Sequence, residues 1–288
     1  QTLEDPRLEQ GAGSVTQVRD CAAALVRFAK ESGTAVVIVG HVTKDGSVAG
    51  PKTLEHVVDA VLMLDGERTG SMRLLRADKN RFGSCEEVGV FTMEGEGLVP
   101  VADPSAMLLA DRLPGVPGSI VFPTIEGSRP VLVEMQALTP EAAAVQQARR
   151  TAIGLDSRRL SLLLGVLDER VGLKMAARDV FAAAAGGLSI REPAADLPVA
   201  LALASSLLRL PVPQSVVAFG EVGLGGEVRR VPAAERRLAE AARMGFTEAI
   251  VPRGVGKVPK GLMVSEVSGL AEAVAFLTER AVVSSGAA

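Results

Sequence analysis

The run "TAVVIVG" at residues 34–40 constrains the fold most. It is a continuous, largely β-branched stretch whose Ala35–Val39 is apolar on both alternating faces. Such a run suits a strand buried on both sides, as in the centre of a parallel sheet. It follows "SVTQVRDCAAALVRFAKES" (14–32), where Val15, Val18, Ala22, Leu25, Val26 and Ala29 recur at helical spacing. Ser14 is placed to cap this helix and Gly33 to stop it. A helix joined to an apolar strand by a tight connection predicts an α/β architecture.

With 288 residues the chain is long enough for two domains. After the run, "HVTKDGSVAGPKTLEH" has loop composition. "DAVLMLD" (59–65), "SMRLLRADKN" (71–80) and "EVGVFTMEGEGLVPV" (87–101) predict strands, the first two joined by the turn "DGERTG". "ADPSAMLLADRLPGVPG" (102–118) has the prolines and glycines of a linker, while its apolar "AMLLA" predicts docking. A second α/β region follows. It comprises a hairpin turning at Gly127, a helix capped by Asp156, strands in "DVFAAAAGG" and "LSI", and the apolar helix "AADLPVALALASSLL". After these come a hairpin in "SVVAFGEVGLGGEVRRV", a helix with Pro232 in its first turn, the strand "EAIVP", a last helix and a frayed tail. The predicted boundaries are 1–103, a linker 104–118, 119–282 and a tail 283–288.

Composition narrows the chemistry. The balance of 31 basic against 34 acidic residues, net −3, excludes a generally basic protein, so contacts with a polyanion must be local. With no Trp or Tyr and 8 Phe, an aromatic platform for stacking single-stranded bases is not expected. Cys21 and Cys85 make neither a disulfide framework nor a zinc site. No apolar run reaches the roughly 18 residues of a membrane span. The first residue is Gln, and the chain reads as a piece of a longer protein.

Phosphate-binding loops are the next question. "GVGKV" (254–258) lacks both the following Ser/Thr and the upstream Gly of a phosphate-cradling loop, so Lys257 is not a nucleotide lysine. "GAGSV" (11–15) follows no strand and reads as a turn and cap. Two basic loops remain. His41 stands at the carboxyl end of the apolar run, where open α/β sheets bind ligands, with Lys44 and Lys52 beyond it. In "RADKNRFGSC" (76–85), Arg81 offers a planar fork and Lys79 a point charge to phosphate oxygens. From pattern alone each loop is equally readable as a solvated turn.

"GHVTKDGSVAGPKTLEHVVDAVLML", "RADKNRFGSCEEVGVFTM", "EPAADLPVALALASS" and "FGEVGLGGEVRRV", in that order, resemble the bacterial RadA (Sms) family of DNA-recombination and repair ATPases. The resemblance spans residues 14 to about 280, and KNRFG is its most specific element. It implies the rear of a RecA-like ATPase core followed by an α+β Lon-protease-like domain of the ribosomal S5-like type. A zinc finger, the phosphate loop and the magnesium-binding strand would precede Gln1, so this chain alone would not hydrolyse ATP.

Residue by residue, the resemblance would put Leu3–Gly13 in a first DNA-facing loop. His41 would stand at a phosphate-sensing strand end, and Thr43, Lys44 and Lys52 in a second DNA-facing loop on a hexameric ring. Lys79 and Arg81 would act in trans on a neighbour's ATP and Mg. Implied partners are DNA (single-stranded or branched), further copies of the chain and the recombinase RecA. The implied location is the bacterial cytoplasm, at the nucleoid.

Lon-type proteases use a Ser nucleophile and a Lys base. Here Ala195 stands at the Ser position and Glu235 at the Lys position, so peptidase activity is not expected. The doublets Arg149–Arg150, Arg158–Arg159, Arg229–Arg230 and Arg236–Arg237 are candidates for sequence-independent phosphate contacts, with nearby carboxylates the competing partners.

Overall fold

In a computed structural model of the chain, residues 2–7, 9–40, 54–66, 72–144 and 147–285 are described. Contacts divide the chain into two units, Gln1–Asp65 with Leu74–Gly89, and Gly66–Arg73 with Val90–Ala288.

In the first unit, α1 (Val15–Ser32) starts where its signals place it. The Ser14 hydroxyl accepts from the Gln17 N–H at 3.3 Å, and Gly33 ends the helix at φ +67°. The buried Gln17 amide accepts from the Asp5 N–H and donates to the carbonyls of Asp5 and Gln10, pinning the preceding segment to the helix. β1 (Ala60–Asp65) pairs antiparallel with β2 (Met72–Asn80), with an irregularity between Val61 and Leu62.

The run at 34–40 departs from expectation. It forms no strand, and Val37 and Val39 are 87% and 80% exposed. A doubly buried strand requires a neighbour on each side, and none of the described strands flanks this run. Its β-branched sequence alone therefore leaves it unpaired.

In the second unit, β3 (Val88–Glu94) and β4 (Gly97–Pro100) form a hairpin. A short helix, α2 (Pro104–Leu109), falls within the expected linker. A mixed seven-stranded sheet follows. Its strands are β5 (Ser119–Glu126), β6 (Arg129–Leu138), β7 (Arg150–Ile153), β8 (Val180–Ala184), β9 (Val216–Ala218), β12 (Glu248–Pro252) and β13 (Met263–Val267). They lie in the order β13-β12-β9-β5-β6-β8-β7. The pairs β13/β12, β12/β9, β9/β5 and β8/β7 are parallel; β5/β6 and β6/β8 are antiparallel. The β5–β6 register closes Glu126 against Arg129 around Gly127 at φ +61°.

The remaining helices are α3 (Ser157–Val166), α4 (Asp196–Leu208), α5 (Ala234–Arg243) and α6 (Leu270–Ser285). α4 is buried along most of its length, which explains its near-uniform apolar sequence. Gly118 at φ +90° lets β5 approach β6 closely: a Cβ there would lie 2.1 Å from the Ala137 carbonyl oxygen.

Several local expectations are corrected. The stretch 216–231 is no single hairpin: β9 joins the main sheet, and only β10 (Glu221–Val222) and β11 (Val228–Arg229) pair as one. "LSI" contributes only a bridge from Ile190 to Leu155. α5 begins after Pro232, with Ala233 at φ +58°. α6 continues to Ser285, through residues expected to fray. β7, β13 and α2 carry weak patterns and were not anticipated.

Candidate functional site

The KNRFG loop lies at the end of β2. The Lys79 ammonium donates to the carbonyls of Glu55 and Val58, the latter at 3.0 Å. The Arg81 guanidinium donates to Asp59 Oδ1 at 3.1 Å and to the His56 carbonyl at 3.4 Å. The Arg81 N–H donates to the Asp59 carbonyl, and the Asn80 carboxamide oxygen accepts the Phe82 N–H, so the loop is tied at each step. The two cations thus converge on one turn, 55–59, and Arg81 remains about half exposed. Phe82 projects outward at 85% exposure. Lys79 is held by neutral carbonyls and Arg81 by one carboxylate and one carbonyl; both side chains are donors only and are chemically suited to anionic oxygens. His41, Thr43, Lys44 and Lys52 lie outside the described residues.

In the second unit, the segment holding Ala195 is physically joined to the segment holding Glu235. The link is Arg237, the largest fully buried side chain among the described residues, at 1% exposure. Its guanidinium bonds both carboxylate oxygens of Glu192, three residues before Ala195, at 3.1 and 2.5 Å. It also donates to the carbonyls of Pro123 and Pro232 and lies 5.7 and 5.8 Å from the rings of Phe122 and Phe219. Glu192 further accepts from the Thr124 hydroxyl and the Ile125 N–H. Ala194 and Ala195 are both buried methyls, and the Glu235 carboxylate accepts the Lys257 N–H at 3.1 Å. Among the described residues, no Ser hydroxyl is hydrogen-bonded to a Lys ammonium between these two segments.

The arginine doublets have separate fates. Arg149 forks onto Asp179 at 2.8 and 3.1 Å while remaining 71% exposed, and its N–H helps hold the Asp179 carboxyl below its ordinary range. Arg150 donates to the carbonyls of Met175, Ala176 and Arg178. Arg159 is bound to the buried Asp196 at the start of α4, where the Val222 N–H also donates. Arg158 is exposed, Arg229 pairs with Glu227, and Arg230 donates to the Arg253 carbonyl.

A third cluster was not anticipated. Asp103 caps α2 and accepts two bonds from Arg243, at 2.7 and 3.0 Å. Those bonds hold the Asp103 carboxyl down at about 2. The buried Ser105 hydroxyl donates to Glu240, which also pairs with Arg243, and accepts the Leu132 N–H at 3.1 Å. The sequence signal was present, since "DPS" is a cap followed by Pro at a helix start, but its partner lies 140 residues away.

The chain is thus an α/β protein with a mixed sheet, a structured cationic loop and, in its second unit, a buried ion pair between the segments that carry Ala195 and Glu235. Comparison with known proteins shows what it is similar to. It is 49% identical over 281 residues to DNA repair protein RadA of Pseudomonas aeruginosa, covering 97% of this chain and 62% of that protein. It is 47% identical to the proteins of the same name from Listeria monocytogenes (95% of this chain, 60% of that one) and Escherichia coli (97% and 61%). Residues 176–254 also match the family described as subunit ChlI of Mg-chelatase. The chain is similar to these RadA proteins along nearly its whole length and spans about 60% of theirs.

Proposed function

We propose that this chain is part of a hexameric, DNA-dependent ATPase that moves along DNA in homologous recombination and repair, driving branch migration. Residues 1–103 supply the rear of its RecA-like core, 104–118 a linker, and 119–282 a Lon-protease-like domain without peptidase activity. The carrying observation is the 47–49% identity to RadA proteins across at least 95% of the chain.

In this reading Lys79 and Arg81 leave the 55–59 carbonyls to meet the phosphates of a nucleotide on the neighbouring subunit. A cation supplied in trans offsets charge that develops on the transferred phosphoryl group. ATP and magnesium are completed by the preceding part of the longer protein, and zinc by its N-terminal finger; Cys21 and Cys85 are too few for a four-ligand site. His41 senses phosphate, and Thr43, Lys44 and Lys52 face DNA. Arg149, Arg150, Arg158, Arg229 and Arg230 add phosphate contacts. Arg159, engaged by buried Asp196, serves the fold. RecA is the expected recombinase partner and the cytoplasm the expected location.

The test is Lys79→Ala and Arg81→Ala in the whole protein. ATP turnover in the presence of DNA, or its coupling to branch movement, should collapse while DNA binding persists; wild-type behaviour in both assays refutes the role.

A second reading suits the isolated chain: a non-catalytic module for assembly and DNA binding. The exposed Arg149, Arg158 and Arg229 favour it. Salt-sensitive DNA binding without ATP hydrolysis would support it, whereas hydrolysis by the chain alone would exclude it. A peptidase reading requires covalent labelling of a serine.

A further inference from the structure

One face of the seven-stranded sheet is largely uncovered where β6, β8 and β7 lie side by side, with the Arg149 guanidinium 5.7 Å from the Phe181 ring at its edge. Register puts Leu138 opposite Phe181, with Ile153 one strand further on. Together with Leu113 and Val116 of the preceding loop these side chains border an open cleft of about 350 Å3. Leu113, Leu138 and Ile153 are 68%, 60% and 60% exposed. A contiguous group of large apolar side chains at a cleft marks a protein-binding surface more often than scattered exposure does. Asp111, an exposed carboxylate, stands at its rim.

The opposite end of the sheet is of complementary character. β13 is the other edge strand. It exposes Met263 at 62% and is preceded by Val258 at 38%, between the exposed Lys257 and Lys260. Among the described residues, Asp111, Lys257 and Lys260 make no side-chain ion pair. The strand pairings also make β7 and β13 run in the same direction, because two antiparallel steps separate them. Two unlike, mutually complementary surfaces at opposite ends of one sheet suit a heterologous contact, which repeats from copy to copy until it closes into a ring.

We propose that the β13 end of one copy, Val258 and Met263, seats in the β6–β8–β7 cleft of the next, with Lys257 and Lys260 facing Asp111. The proposal rests on the reading that the protein assembles from copies of this chain, and names the surface that does it. The test uses a Cys21→Ser/Cys85→Ser background. Ile153→Cys protein mixed with Met263→Cys protein under mild oxidation should give a mixed dimer that neither gives alone. A chain carrying both cysteines should give a ladder. Leu138→Asp should abolish the mixed product with an unchanged circular dichroism spectrum, and Asp111→Lys should weaken it.

If light scattering shows the wild type as an oligomer but no mixed product forms, or Ile153→Cys crosslinks to itself, the contact is overturned and the ring reading stands. If the wild type stays monomeric at every concentration, both fall.

Discussion

Arg237→Met removes the guanidinium that joins the Ala195 and Glu235 segments while keeping an unbranched apolar stem between Phe122 and Phe219. Glu192 then loses both charge-assisted bonds but keeps the Thr124 hydroxyl and Ile125 N–H; the carbonyls of Pro123 and Pro232 lose their donor. Breaking a buried ion pair from one side costs about 3–5 kcal/mol. Glu192 retains 26% exposure, so water relieves part of that loss and the low end, about 3 kcal/mol, applies. For a body of this size that lowers Tm by roughly 6–12 °C. Urea denaturation and scanning calorimetry at neutral pH measure both. Glu192→Leu/Arg237→Met, which removes the whole pair, should be more stable than the sum of the two single changes requires, by at least about 1 kcal/mol. A single change within about 1 kcal/mol of wild type, or strict additivity of the two, refutes the view that this pair is desolvated and mutually dependent.

Asp103, held at about 2 against an unfolded value of 3.8, contributes stability that is present above pH 4 and lost as pH falls toward 2. A carboxyl-carbon NMR titration of Asp103 should show the low midpoint, and one near 4 would remove the Arg243 latch. Ser105→Ala leaves the buried Leu132 N–H without its acceptor, costing about 1–3 kcal/mol, and should accelerate amide exchange in Pro104–Leu109; unchanged exchange there counts against docking through Ser105. Gly118→Ala places a methyl against the Ala137 carbonyl at a positive φ and should cost more than about 1 kcal/mol in urea; a neutral result would mean the β5–β6 approach is looser than described.

Elements whose signal is local were legible. α1, α3 and the β5–β6 hairpin all stand where caps, periodicity and a turn glycine place them. What was illegible depends on partners distant in sequence. β7 and β13 are short edge strands whose identity comes from β8 and β12. Arg237 reads as one charge in a run of charged residues, and only the fold encloses it between two Phe rings. The same holds for Arg159 and Arg149. Their sequence neighbours suggested ion pairing, but the carboxylates that hold them, Asp196 and Asp179, lie 37 and 30 residues away.

The run at 34–40 and the KNRFG loop each encode a demand that the chain by itself meets only in part. A β-branched run encodes a demand for neighbours, not the neighbours themselves, so with none beside it Val37 and Val39 remain in water. Lys79 and Arg81 encode a demand for anionic oxygen, and here it is met by neutral carbonyls for Lys79 and by the Asp59 carboxylate with one carbonyl for Arg81. Carbonyl partners are neutral, whereas phosphate is a charged acceptor whose bonds to guanidinium and ammonium are about twice as strong. In the proposed reading an incoming phosphate outcompetes the neutral carbonyls for Lys79, whereas for Arg81 it must also displace the charged Asp59 carboxylate; release of both cations would free the 55–59 turn. Coupling between anion capture and the movement of that turn follows from the hydrogen bonds themselves: mutating Asp59 to Asn should weaken the hold on Arg81 and raise affinity for the anion, and a loss of affinity would show that Asp59 orients Arg81 rather than restrains it.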